Sequence, residues 1–521
     1  MTNFGIKIAG GGKALALTLA LGVVAHASLD PAAKTAPRLA ARAAAEPVFT
    51  KETEHFAVFY SKTGVHAIAG ATVDKDGNGH PDNVDDIAQE LERIWRLAID
   101  TMGYPQPVAA KRELGYGQDV PAGKFPVAIG DMATFVPSWG PDGMYGFCTA
   151  PGQDTSTPKG LEVVAENDFV NSSTSKAFQV KVNPINTPNL LDSVLYDYSK
   201  RPDLGWRVTL AHQFFHALQK KFDGTFILAF HEMSAIWFAT RVYPDIHHEW
   251  QYLQKFVNIV NQPAFSTWEK EELAEFPMVT AMVKAYGDII VRQLWENRNM
   301  IIENGSLTSE TVWAHRVMIK MGYDESLFTK TFVEMVARLA FNLDKSEWPT
   351  YKTTNVTIVQ ALQDTAEKDN WTGYSVGGPF QVEIYRLNLA EITGKWNFKF
   401  SYVTTTSSAA SGIIRLPSKE VTVVRPLGGP FVFNKNPGDT AIYAIMSAGY
   451  DGLKPGDHSS ISLGVTAAPV STGIQKRVKG LAPGAALRLD LQGRPVKEGS
   501  HGIVLEYQPN HGWVRRVKLG E

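Results

Sequence analysis

Apolar and polar positions along the chain change their period twice. Glu54 to Ser61 (EHFAVFYS) alternates and is rich in β-formers, which predicts a first strand. A loop rich in glycine and aspartate follows at 74–85. Beyond it, Val84, Ile87, Leu91, Ile94, Trp95 and Ala98 recur at helical spacing, and Gly103 marks the stop. Phe125–Ile129 and Leu161–Ala165 are short apolar runs of the kind that form buried strands. From about Asp203 to Phe341 the spacing is almost wholly helical, as in 281–297 and 325–341. From about Gly373 alternation takes over in FQVEIYRLNL, WNFKFSYVTT, KEVTVVRP, TAIYAIMSA and SSISLGVTA, punctuated by Gly, Pro, Asn and Asp. That pattern predicts a β-sandwich over 370–470, and short β segments continue through 471–521. The class is therefore α+β, with no repeat of fixed period.

Composition narrows the picture. At 521 residues the chain is long enough for two to four units of about 150 residues each. Hydrophobic residues at 44% and charged residues at 20% are ordinary for a globular protein. A net charge of −2, with no basic run, argues against nucleic acid or an anionic membrane surface as partner. The start of the chain reads as an export signal over residues 1–27. Lys7 and Lys13 precede the apolar run Ala14–Ala25, and Ala25-His26-Ala27 fits the small-x-small cleavage rule before Ser28. The apolar run is short for a bilayer span, so a retained membrane anchor is the weaker alternative. Residues 28–48 form an alanine-rich linker or pro-segment. The expected location is outside the cell or on its surface, with no membrane span after cleavage. Cys148 is the one cysteine, so no disulfide can form within the chain; its apolar neighbours suggest a small buried hydrophobe.

Candidate chemistry is concentrated in the helical region. In Leu210-Ala211-His212-Gln213-Phe214-Phe215-His216-Ala217-Leu218-Gln219, two histidines lie one turn apart on one helix face, a spacing at which two imidazoles can share a metal ion. After a turn at Asp223-Gly224 a second apolar helix runs from Phe226, and Glu232 is its one carboxylate. An isolated carboxylate there is costly unless it is paired or bound to metal. Two His and one Glu make the set of a catalytic zinc site whose fourth position holds water. The plainer alternative is a hydrogen-bonded polar cluster in a helical core, without metal.

HQFFHALQ followed by EMSAIWFA resembles the HExxH helix and downstream Glu of gluzincin metallopeptidases. It is most similar to a loosely characterised group of secreted bacterial metalloprotease-like proteins. These carry an HEYFHAxQ-like helix and an EGTAxWxE-like helix. The resemblance also takes in the GNGHPDNVD loop and the WENRNMIIENG region, roughly residues 49–345, and only loosely the β-rich part. It implies a zincin-like domain over 49–365, built of a small mixed sheet and a helical subdomain. It also implies that His212, His216 and Glu232 are zinc ligands, and that the substrate or ligand is a protein or peptide. This chain departs from the family pattern at Gln213, which stands where the family has its general-base glutamate. An amide cannot accept a proton from bound water or pass one to a leaving amine. The implied protein is metallopeptidase-like and inactive or weakened. The alternative is a non-catalytic binding, adhesion or surface-assembly protein on the same scaffold. His231 is a poor substitute base, because adjacent helix positions point about 100° apart. Tyr286, His315 and Tyr243 are oxyanion candidates by position, and packing residues otherwise.

The loop from Asp74 to Asp85 follows the EF-hand spacing of oxygen ligands. Asp74, Asp76, Asn78 and Asp82 supply side chains, His80 supplies its carbonyl, and Asp85 closes the loop where glutamate is usual. Calcium is the expected ion, holding the entry to the following helix. A plain turn capping that helix is the alternative. Asn-x-Ser/Thr triplets occur at Asn171, Asn304, Asn355 and Asn370.

Overall fold

A computed structural model describes residues 47–112, 116–131, 146–149, 162–166, 202–222, 228–250, 252–253, 256, 260, 275–298, 310–341, 343, 360–362, 371–377, 380–389, 396–405, 409–416, 418, 420–424, 430–436, 438–449, 460–469, 487–489, 502–508 and 512–518. The export signal, the linker as far as residue 46, the turn at Asp223-Gly224 and the asparagines of the four Asn-x-Ser/Thr triplets lie outside them.

The fold is mixed α and β. Two compact units are formed: the first from Met1–Ile259, Ala264–Tyr323 and Leu339–Asn355, the second from Val260–Pro263, Asp324–Arg338 and Val356–Glu521. The first unit is built on a five-stranded sheet in the order β1-β2-β3-β5-β4. Its strands are β1 (Val48–Glu52), β2 (Phe56–Ser61), β3 (Phe125–Gly130), β4 (Gly146–Thr149) and β5 (Glu162–Glu166). β2, β3 and β5 run parallel, while β1 and β4 pair antiparallel at the two edges. Every residue of β2 and β3 is buried, as parallel strands covered on both faces require.

Helix α1 (Asp82–Trp95) buries Val84, Ile87, Ala88, Leu91, Ile94 and Trp95, the face its spacing predicts. It continues as one π-helical stretch, Arg96–Thr101, and ends at Gly103, whose φ of 71° is left-handed. Helices α2 (Pro202–Phe222) and α3 (Leu228–Val242) follow, then α4 (Phe276–Tyr286), α5 (Ile289–Glu296) and α6 (Glu310–Lys320). The helical spacing across 281–297 is broken at Gly287, with φ 83° and ψ 168°. That conformation is open to glycine and to almost nothing else, so one apolar stripe becomes two helices.

α2 carries the core of this unit. Phe214 lies 5.6 Å from both Phe56 and Phe125 on the sheet and 6.0 Å from Trp95 on α1. Phe215 points to the other side, stacked at 4.7 Å on Phe238 of α3 and edge-on to Tyr104. A helix buried on both sides needs no polar face, and residues 210–219 are all buried. Any polar side chain in that stretch must find partners inside the protein.

The second unit takes in Asp324–Arg338, which covers helix α7 (Glu325–Ala340) as far as Arg338. The strands β6 (Gln360–Leu362), β8 (Val382–Asn388), β10 (Ala410–Leu416), β11 (Glu420–Val424) and β13 (Ala441–Ser447) form a sheet in the order β11-β10-β13-β8-β6. A second sheet has the order β12-β9-β14-β7, from β7 (Trp371–Gly377), β9 (Trp396–Thr404), β12 (Phe431–Lys435) and β14 (Ser460–Pro469). Tyr385, Ile413, Ile442 and Met446 of the one, and Phe398, Phe400, Phe433 and Leu463 of the other, share a single hydrophobic cluster. Along β14, Ile461, Leu463 and Val465 are buried and the residues between them half-buried, the alternation read from the sequence. The last described strands, β15 (Leu487–Leu489), β16 (Gly502–Gln508) and β17 (Gly512–Lys518), make a three-stranded antiparallel sheet. Among the described residues no helix is long and apolar enough to cross a membrane.

Candidate metal centre

His212 and His216 stand on α2 and Glu232 on α3, with side chains only 3%, 7% and 3% exposed. Four atoms converge, the two imidazole Nε2 atoms and both carboxylate oxygens of Glu232. His212 Nε2 lies 2.9 Å from His216 Nε2 and 3.1 Å from Glu232 Oε2, and His216 Nε2 lies 3.5 Å from Glu232 Oε1. A tetrahedral metal with ligand bonds of about 2.0–2.1 Å spaces its donor atoms ~3.3 Å apart. The measured separations lie near that value, with Glu232 turning a different oxygen to each imidazole, and the residues form a buried His-His-Glu group able to hold one metal ion.

Electrostatics agree with a ligand set. Burial alone would raise the Glu232 carboxyl. The neighbouring imidazoles, His216 first and then His212 and His231, outweigh it and hold the group well below the usual carboxylate range. Glu232 is therefore an anion inside an apolar helix pair, the costly arrangement that a bound cation would relieve.

Polar residues around the triad complete it. Gln219 Nε2 donates to the His231 carbonyl at 2.8 Å and to Ser234 Oγ at 2.9 Å, and Gln219 Oε1 lies 2.8 Å from His216 Nδ1. The His231 ring stacks on that of His216, with centroids 4.1 Å apart and planes 7° from parallel. Burial and the neighbouring His216 push His231 well below its ordinary pKa, so it is neutral. Its Nδ1 is 4.0 Å from Glu232 Oε1, yet it is not among the converging donors. One turn beyond His216, burial lowers the Lys220 ammonium to about 7; Arg298 adds to the shift, while Cys148 and Glu232 oppose it. Gln213 is 4% exposed, and none of the described residues hydrogen-bonds its amide.

The other predicted positions are placed as follows. Tyr243 is buried and donates to Glu90 Oε2 at 3.0 Å beneath the Arg93 guanidinium, which serves packing against α1. Tyr286 packs on Tyr323 at 4.8 Å, and His315 is wholly buried on α6. Cys148 is buried on β4. In the 74–85 loop, Asp74 accepts from the backbone of Asn78 and Gly79, and Asn78 Nδ2 donates to Asp76 and to Asp85. His80 gives its backbone N–H to Asn78 Oδ1 and its ring to Tyr60. Asp82 turns away to Lys75, accepting from its backbone at 2.8 Å and pairing with its ammonium at 3.0 Å. Asp85 pairs with Lys51 at 2.5 Å. Among the described residues, no three loop Asp or His side chains bring ligand atoms within 4.8 Å of one another.

No protein-family model and no curated protein matches this chain. Among solved structures it is similar to PliG of Aeromonas hydrophila, a periplasmic lysozyme inhibitor of g-type lysozyme. Identity is 13% over 21% of this chain and 94% of that one, with a TM-score of 0.15. A likeness at that level carries no argument about function. The chemistry of the site has to be read from its own residues.

Sequence reasoning named the three converging side chains and passed over their supports, Gln219, Ser234 and the His231 ring. Gln219 had one available signal: it lies three positions after His216, on the same helix face.

Proposed function

We propose that this is an exported, metallopeptidase-like protein of zincin type. His212, His216 and Glu232 would hold a zinc ion, and turnover is lost or strongly reduced because Gln213 replaces the general base. The convergence of two imidazole nitrogens on the carboxylate of Glu232, at separations near a tetrahedral edge and inside a buried helix pair, is the observation that carries this reading. Zinc bound there supplies a Lewis acid that polarises a carbonyl and lowers the pKa of bound water. The chain's own residues orient the ligands and exclude bulk water, but no carboxylate follows His212 to take a proton. Absence of a positioned base costs about 10²–10⁴-fold in rate. In this reading the two sheets of the second unit form a β-sandwich, and the 74–85 loop takes calcium once Asp82 is released from Lys75.

A non-catalytic binding, adhesion or surface-assembly role is the second reading, and Gln213 is what favours it. A neutral amide can hydrogen-bond a ligand that the metal holds without processing it.

Metal content of the purified mature protein, measured beside casein cleavage by a Gln213→Glu variant, tests the proposal. One zinc per chain, lost in His212→Ala, with cleavage appearing only in Gln213→Glu, is the expected outcome. Zinc retained without cleavage in that variant would favour the binding role. Absence of zinc from all forms would leave a polar cluster and overturn the metal assignment.

A further inference from the structure

The metal-facing nitrogen of His216 depends on a residue that touches no metal. The His231 carbonyl can only accept a hydrogen bond, and it sits 2.8 Å from one end of the Gln219 amide. Ser234 Oγ sits 2.9 Å from the same end and gives its own proton to the Phe230 carbonyl. Both neighbours therefore require the amide NH₂ there. That fixes the other end as Oε1, an acceptor, and it lies 2.8 Å from His216 Nδ1. His216 must carry a proton on Nδ1, and in the neutral ring that leaves Nε2 with a bare lone pair among the converging atoms. Gln219 is 2% exposed, so no water competes for these bonds.

We infer that Gln219, seated on Ser234 and the His231 carbonyl, is a positioning residue that locks His216 in its Nδ1–H tautomer with Nε2 free to bind metal. The same amide spans the two ligand-bearing helices. Gln219 belongs to α2 with both histidines, whereas its acceptors belong to α3, one residue before Glu232 and two residues after it. One side chain thus sets the tautomer of a ligand and the register of the helix that brings the third ligand. Without the Gln219 acceptor, the His216 proton would move to Nε2, which has Glu232 Oε1 3.5 Å away, and would block the lone pair. The tautomer is a property of the metal-free protein; only its consequence for metal rests on the proposed zinc site.

The test is a long-range proton–nitrogen correlation spectrum of the full chain, labelled with ¹⁵N-histidine and stripped of metal. His216 is assigned by the signal missing from His216→Gln. The wild type should show His216 protonated at Nδ1. Gln219→Met, which keeps length but removes donor and acceptor, should move the proton to Nε2, and Ser234→Ala should give a mixture. Chelator competition should then show zinc held about 10–100-fold more weakly by Gln219→Met, the usual effect of removing a group that orients a ligand. An Nε2–H signal in the wild type would overturn the inference without any variant having to fold. So would an unchanged tautomer in folded Gln219→Met. A tautomer that switches in a protein that binds no zinc would leave the clamp standing and remove the metal reading. Zinc held equally by both forms with an unchanged tautomer would do the reverse.

Discussion

Single residues decide whether the helix pair binds anything. Glu232 is an anion because three imidazoles surround it, and its charge is what a metal needs to offset the desolvation of the site. Glu232→Gln keeps the volume and removes the charge. On the proposed zinc site, the variant should lose the ion to a chelator at least about 10-fold more readily than the wild type, as read by competition titration. Unchanged retention would strike Glu232 from the ligand set. The triad was legible in the sequence because i, i+4 spacing alone places two histidines on one face, and because one carboxylate in an apolar helix requires a reason. Gln219, Ser234 and the His231 ring were not legible, since each acts across the α2–α3 contact. The rotation of one helix against the other decides which side chains meet. His231 shows the limit of arguing from one helix: pointing about 100° from Glu232, it still stacks on His216, because that ring comes from α2.

At the scale of elements, two joints hold the first unit in shape. Glu92 of α1 accepts from Thr53 Oγ1 at 2.5 Å, from the His55 backbone at 2.8 Å and from His55 Nδ1 at 2.7 Å, fixing the helix to the turn between β1 and β2. Burial would raise this carboxyl, but the bonds from His55 and Thr53 outweigh it and lower the folded pKa. The stability it supplies is therefore full above the unfolded value of about 4.3 and is lost as pH falls through the lower folded value. Glu92→Gln should flatten the acid limb of a plot of unfolding free energy against pH and leave its shape near neutrality unchanged. An unaltered acid limb would show that this carboxylate contributes nothing there. The second joint is Gly287 between α4 and α5. A Cβ there would meet nothing within 4 Å, so the cost of Gly287→Ala is conformational. It should lower stability by about 1–3 kcal/mol in urea denaturation. The sequence suggested one helix across this joint, because its apolar spacing continues from Met282 through Ile290 to Leu294; the backbone angle that breaks it leaves no trace in periodicity.

Over the whole molecule, contacts divide into two units with separate cores, one centred on Phe214 and the other on the cluster around Ile442 and Phe398. Calorimetry should resolve two unfolding transitions. Phe214→Ala, at about 3–5 kcal/mol, and Ile442→Ala, at about 2–5 kcal/mol, should each lower a different one. A single transition shifted by both would mean that the cores unfold together.

By itself the sequence determined the class of the fold, most strands and helices, and the three side chains with metal-binding chemistry. These follow from short-range rules: alternation for strands, 3.6-residue spacing for helices, and donor types one turn apart. Only the tertiary structure decided the rest. The mixed parallel order of the first sheet depends on which strands meet, and alternation does not encode that. β10 shows a similar limit. Its run Ala410-Ser411-Gly412 is too small to stand out as a strand, yet the smallness has a cause, because a Cβ on Gly412 would come within 3.2 Å of Val333 on α7. The site obeys the same division. Residue types supplied its donors, and the crossing of α2 with α3 set their spacing, their tautomer and their burial.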